Sequence, residues 1–268
     1  MKIVTRYLAA LSLVFVANQP PSRESQTNQF TLALIPASAV HHPHQGAPHL
    51  RNANGTSQNW SGYAAETSLS SPQDGAVTDV KGSWIVPAVT ASSSSKTYSS
   101  AWLGIDGYSD GTVEQIGTEQ DWSNGQAVYY AWFEMYPKFG YLINNFPVNP
   151  RDSIACEVHY NGNGTYTLTI RNVTRNATFS ITQRLKRARN QSAEWVMEAP
   201  YSGGILPLAD FGTINFSNCG ATLNGVTGSI STWPHDAITM ATAGGTVKAQ
   251  PSALSAGGTS FSVTWHHE

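Results

Sequence analysis

The sequence predicts an all-β fold, two antiparallel sheets packed as a sandwich, and three observations predict it. From Asn59 onward apolar residues recur with period two rather than 3.6. The alternating runs are short and are punctuated by Gly, Asn, Asp, Ser and Pro clusters, within a composition of 23 Gly and 14 Pro. Helical windows are scarce, and many short strands in about 210 residues favour two packed sheets over a small barrel.

The elements follow in chain order. Lys2 and Arg6 precede an apolar run over residues 7–17, which has the length of a signal-peptide core and is too short to span a bilayer. A second apolar stretch, residues 30–39, ends in the small-x-small pattern Ala37-Ser38-Ala39. Residues 1–39 therefore read as a signal peptide cut near 17 or, preferably, after 39, and export follows. Residues 40–57, with His41, His42, His44 and His49, lack aliphatic periodicity and read as a propeptide or linker. Their spacing matches no structural zinc pattern, so no metal is assigned to them. The remaining residues, 58–268, read as one folded domain. In it Thr78, Val80, Gly82, Trp84 and Val86 share one strand face, and residues 153–170 form a hairpin turning at Asn161-Gly162-Asn163-Gly164. Ile214 and Phe216, then Phe261, Val263 and Trp265, continue the alternation. One stretch resists: residues 182–199 are rich in helix formers, and propensity alone makes them a helix.

Composition narrows the function. Only 12% of residues are charged, and the formal net charge of −2 gives no electrostatic reason to bind nucleic acid or an anionic membrane. The basic cluster Arg184, Lys186, Arg187 and Arg189 reads as a solvated face. Cys156 and Cys219 permit one disulfide at most. A monomer is the default state.

Two familiar catalytic signatures are missing: there is no His-Glu-x-x-His helix and no Asp-(Thr/Ser)-Gly loop. Carboxylates and amides remain. Between Ala101 and Pro150 the acids Asp106, Asp110, Glu114, Glu119, Asp121 and Glu134 face the single base Lys138, amid crowded aromatics. As a strand, residues 129–137 put Tyr130, Trp132, Glu134 and Tyr136 on one face and Ala131, Phe133 and Met135 on the other. Trp102, Gly104 and Asp106 likewise oppose Leu103 and Ile105, so two strands present Trp plus acid away from the core. A strand reading of residues 192–198 sets Glu194, Val196 and Glu198 opposite Trp195 and Met197.

Taken together and in chain order, these segments resemble the glutamic peptidases of the G1 (eqolisin) family. Asn59-Trp60-Ser61-Gly62 is similar to the family's Asn-Trp-(Ser/Gly)-Gly, and Ala101-Trp102-Leu103-Gly104-Ile105-Asp106-Gly107 to its Ala-Trp-Val-Gly-Ile-Asp-Gly. Gln115-Ile116-Gly117 resembles its Gln-Thr-Gly, and Ala131-Trp132-Phe133-Glu134-Met135-Tyr136-Pro137 its Ala-Trp-Tyr-Glu-Trp-Tyr-Pro. Ala193-Glu194-Trp195-Val196-Met197-Glu198 resembles its Ala-Glu-(Trp/Phe)-Ile-(Val/Ile)-Glu. The resemblance runs from about Asn59 to the end. Met135, Ile116 and Ala199-Pro200 depart from the pattern and bear on subsite preference rather than on the reaction.

The resemblance implies a concanavalin A-like sandwich of the lectin and glucanase type, with the site on the concave face of one sheet. It also implies that the segment ending at Glu198 is a strand, against local propensity. It places the catalytic glutamate on Glu198 and the catalytic glutamine on Gln115, with Trp60, Trp102, Asp106, Trp132, Glu134 and Tyr136 as cleft neighbours that bind a polypeptide substrate. No metal or other cofactor is required, and an acid optimum is expected. The competing reading is a β-sandwich glycoside hydrolase, or a carbohydrate-binding protein, using Glu134 and Glu198.

Overall fold

A computed structural model describes residues 30–34 and 55–268. The leader core at 7–17 and the four histidines of 41–49 lie outside the described residues. Two antiparallel sheets pack face to face. The first runs, in spatial order, Thr31–Leu34, Tyr141–Asn144, Gln126–Tyr136, Val113–Ser123, Ser100–Ile105, Ser192–Glu198, Trp60–Glu66 and His235–Ala241. The second runs Ala177–Arg184, Thr165–Asn172, Ser153–Gly162, Val77–Ile85, Thr213–Leu223, Phe261–Trp265 and Val247–Pro251. His235–Ala241 belongs to both: residues 235–238 pair with Trp60–Glu66, and Met240 and Ala241 pair with Val247–Pro251. The two sheets are thus continuous along one side.

Local chemistry explains the hairpins. Asn124-Gly125, Asn163-Gly164 and Asn224-Gly225 each have both residues at positive φ, the backbone that tight hairpins require and that Asn and Gly adopt most readily. The expected 153–170 hairpin is present as Ser153–Gly162 paired with Thr165–Asn172, with a bulge between Tyr160 and Gly162. In Val77–Ile85 the expected face holds for Val80, Gly82 and Trp84, but Val77 is buried in place of Thr78. A register shift between Thr222 and Leu223 on the partner strand accounts for the slipped phase.

The helical propensity of 182–199 is overridden. Ala177–Arg184 and Ser192–Glu198 are strands of opposite sheets; the exposed Arg184 ends the first, and the connection between them carries the exposed Lys186, Arg187 and Arg189. Ser192–Glu198 lies between two strands, and all seven of its residues are buried, so ladder pairing and packing on both faces outweigh tenths of a kcal/mol of propensity per residue.

Between the sheets lies the main core, with Trp84, Leu103, Ile105, Ile116, Phe133, Trp195 and Phe216 at its centre. Its two indoles tie the sheets together, Trp84 Nε1 donating to Thr118 Oγ1 at 3.0 Å and Trp195 Nε1 to the Lys81 carbonyl at 2.9 Å. Cys156 and Cys219 are separate buried thiols within this core.

Candidate active site

The other face of the first sheet carries a second apolar cluster of Trp60, Ala64, Trp102, Tyr108, Val113, Trp132, Val196 and Ile238. Alternation assigns it as the sequence predicts: Trp132, Trp102 and Val196 face this cluster, while Phe133, Leu103 and Trp195 face the core. These side chains face away from the core yet are fully buried: Trp60, Trp102, Trp132, Gln115 and Glu198 are all 0% exposed. The three indoles stand on every second strand of the sheet and belong to one buried cluster.

Three rungs of the ladder order the site. The first runs Glu134, Gln115, Gly104, Glu194, Ala64, Asp236. The second runs Trp132, Gly117, Trp102, Val196, Gly62, Ile238. The third runs Tyr130, Glu119, Ser100, Glu198, Trp60. Gln115 and Glu198 therefore share a face, with the Trp102 strand between theirs.

Gly117 makes room for Trp102. A Cβ at 117 would sit 2.4 Å from the Ala101 carbonyl and 2.6 Å from Trp102 Cβ. At Gly104, beside Gln115, it would sit 2.8 Å from the Glu114 carbonyl.

Trp102 Nε1 donates to Glu198 Oε2 at 2.8 Å, and Asn59 Nδ2 reaches Glu198 Oε1 at 3.4 Å. Asn59 is itself fixed by the Ser57 hydroxyl, which donates to Asn59 Oδ1 at 2.9 Å. The Trp60 and Trp102 rings meet edge to face at 4.9 Å. Trp132 Nε1 donates to Ser100 Oγ at 3.0 Å. Gln115 Nε2 donates to Glu134 Oε2 at 3.0 Å, while the buried Gln115 Oε1 has no hydrogen-bond partner among the described residues. Tyr136 and Tyr130 are half-buried at the margin of the cluster.

Asp106 stands apart from the other site candidates. At φ 70 it leaves the strand, and its carboxylate accepts backbone N–H groups from Arg189, Asn190 and Gln191 at 2.9, 2.7 and 2.6 Å. It anchors the connection that leads into the Glu198 strand.

Two neighbours of Glu198 escape sequence reasoning. Asn59 opens the Asn-Trp motif, but its reach to Glu198 depends on the pairing of Trp60 with Glu198. Glu119 lies across Ser100 from Glu198, and burial, then Asp121 and more weakly Glu198, push its carboxyl well above the usual range. Burial also raises Glu114 and Glu194, with acidic neighbours adding to the effect. Among the described residues, no group of three or more His, Cys, Asp or Glu is placed to hold a metal ion. None of their helices is long and apolar enough to cross a membrane.

The sequence model of the peptidase A4 family matches residues 58–265. The chain belongs to the peptidase A4 family. Among A4 relatives, aspergillopepsin-2 of Aspergillus niger is 31% identical over 186 residues, which cover 61% of this chain and 64% of that protein, a little under two thirds of its length. The solved structure of scytalido-glutamic peptidase with a transition state analog inhibitor superposes with a TM-score of 0.66 at 22% identity, over 78% of this chain and 98% of the other. That of aspergilloglutamic peptidase from Aspergillus niger gives a TM-score of 0.57 at 28% identity, over 63% and 99%. The A4 chain thus shares the sandwich of these peptidases.

Proposed function

We propose that this A4 protein is an exported acid endopeptidase in which Glu198 and Gln115 together hydrolyse the peptide bond. The observation that carries the reading is the contrast between two buried groups facing the same cluster. Both oxygens of Glu198 are held by side-chain donors, whereas Gln115 has its nitrogen held by Glu134 and its oxygen without a hydrogen-bond partner among the described residues. An amide so oriented has one N–H fixed, one N–H to offer and an oxygen able to accept from water.

Glu198 then acts as general base, taking a proton from water as the water oxygen attacks the scissile carbonyl carbon. Gln115 accepts the other water proton in a hydrogen bond, which orients the nucleophile, and donates its second N–H to the oxyanion. As the C–N bond breaks, Glu198 returns its proton to the leaving amine. The route needs no metal and forms no covalent enzyme intermediate. Trp60, Trp102 and Trp132 supply the apolar walls, and an extended peptide enters past the partly exposed Tyr130, Tyr136 and Leu69, whose side chains must yield to admit it. Glu119 adds the acid bias: once ionised, it sets a second negative charge on the rung of Glu198.

The test is cleavage of an unfolded protein by wild type, Glu198→Gln, Gln115→Ala and Glu134→Gln from acid to neutral pH. Glu198→Gln is expected to abolish cleavage, and Gln115→Ala to lower kcat by ~10²–10³, the worth of one oxyanion donor. Full activity in Gln115→Ala with total loss in Glu134→Gln would instead favour the paired-carboxylate reading, and β-glucan would become the substrate to try.

A further inference from the structure

The outermost strand of the site-bearing sheet comes from the segment that reads, in sequence, as leader. Thr31–Leu34 pairs antiparallel with Tyr141–Asn144, Thr31 opposite Asn144 and Leu34 opposite Tyr141. Tyr141–Asn144 pairs in turn with Trp132 and Phe133 of the Glu134 strand. The Phe30 ring packs 5.6 Å from Phe146 and 6.0 Å from Phe179. Phe179 stacks on Phe133 at 6.0 Å, and Phe133 on Tyr141 at 5.3 Å. Since Phe179 belongs to the second sheet and Phe133 to the first, Phe30 fills the sandwich on its open side, opposite the strand that joins the sheets.

Backbone pairing and one aromatic anchor define this contact, because Leu32 and Leu34 remain 41% and 58% exposed. Strand addition works in this way: the ladder supplies the attraction and a side-chain socket supplies the register. An edge left open presents unpaired N–H and C=O groups to any other strand.

We propose that Phe30–Leu34 is an integral edge strand of the folded domain, docked in cis on Tyr141–Asn144, and that this edge is a binding site for an extended segment headed by an aromatic ring. Of the two leader boundaries, the one near residue 17 keeps this strand with the domain; a cut after 39 severs it. The inference does not depend on the identity of the catalytic pair.

Hydrogen exchange on the full chain, confirmed intact by its mass, tests it with and without Phe30→Ser or Ala33→Pro. In the parent, amides of 141–144 are expected to be protected, and each added substitution should speed their exchange on the order of tenfold, as for other locally opening edges. Amides of Val113–Ser123 should not change; if they lose protection too, the strand is integral to the whole folding unit, which also supports the proposal. Exchange at 141–144 that is equally fast in parent and variants overturns it.

Discussion

Trp102 is the residue on which the site turns. Its indole donates to Glu198 at 2.8 Å, its ring meets Trp60, and the glycine at 117 exists to accommodate its backbone approach. Hydrogen bonds to a charged partner contribute about 1.5–3 kcal/mol, so Trp102→Phe is expected to lower kcat roughly 10- to 100-fold. Steady-state kinetics with kcat and KM resolved separately will decide the role. A change confined to KM would make the indole a substrate contact rather than a positioning group for Glu198. The motif letters at 102, 115, 117 and 198 are legible in the sequence one by one. Their assembly is not, because it requires three strands to pair in one register.

At the scale of elements, the connection between Ala177–Arg184 and Ser192–Glu198 shows what propensity alone misses. Its helix formers sit in a turn held by Asp106, through three backbone N–H groups, and by Asn190, whose side chain donates to the Val77 carbonyl at 3.0 Å and accepts from the Tyr166 hydroxyl at 2.6 Å. Asp106→Ala strands those buried donors and should cost roughly 3 kcal/mol or more, read as a lower urea midpoint at acid pH. If stability is unchanged while KM rises, Asp106 contacts substrate instead. Other elements are readable locally: Asn163-Gly164 marks its hairpin, and Asn124-Gly125 and Asn224-Gly225 carry the same signal for two more.

Across the whole molecule, buried carboxyls with carboxyl neighbours set the pH range of the fold. Burial, tempered by a hydrogen bond from Ser109, pushes Glu66 up to about 7. Burial likewise raises Asp106, Asp110, Glu114, Glu119, Asp121 and Glu194. A carboxyl raised on folding holds more protons in the folded than in the unfolded chain. Its stabilisation is therefore complete below the unfolded value of about 4 and is lost as pH rises through the folded value. Two groups act in the opposite sense. Against the push of burial, hydrogen bonds from Asn172 and Arg175 hold Asp152 low, and hydroxyls of Ser93 and Ser94 hold Glu268 at about 2. Their stabilisation is present above about pH 4 and fades as pH falls toward 2. Stability should consequently peak near pH ~3–4 and decline steadily toward neutrality. Urea midpoints measured across that range check it, and a midpoint that holds or rises from pH ~4 to ~8 refutes the linkage.

By itself, the sequence determined the all-β class, the faces of the Glu134, Trp102 and Glu198 strands, and the residues from which a site could be made, because period-two alternation and Asn-Gly turns are local properties of the chain. Tertiary structure decided the rest. That Glu198 is held by Trp102 and Asn59, that Gln115 leans on Glu134, that Asp106 serves a turn, and that Phe30 closes the open side are all consequences of strand order and register. Those depend on contacts between residues far apart in the chain, where burial and ladder pairing outweigh any local preference.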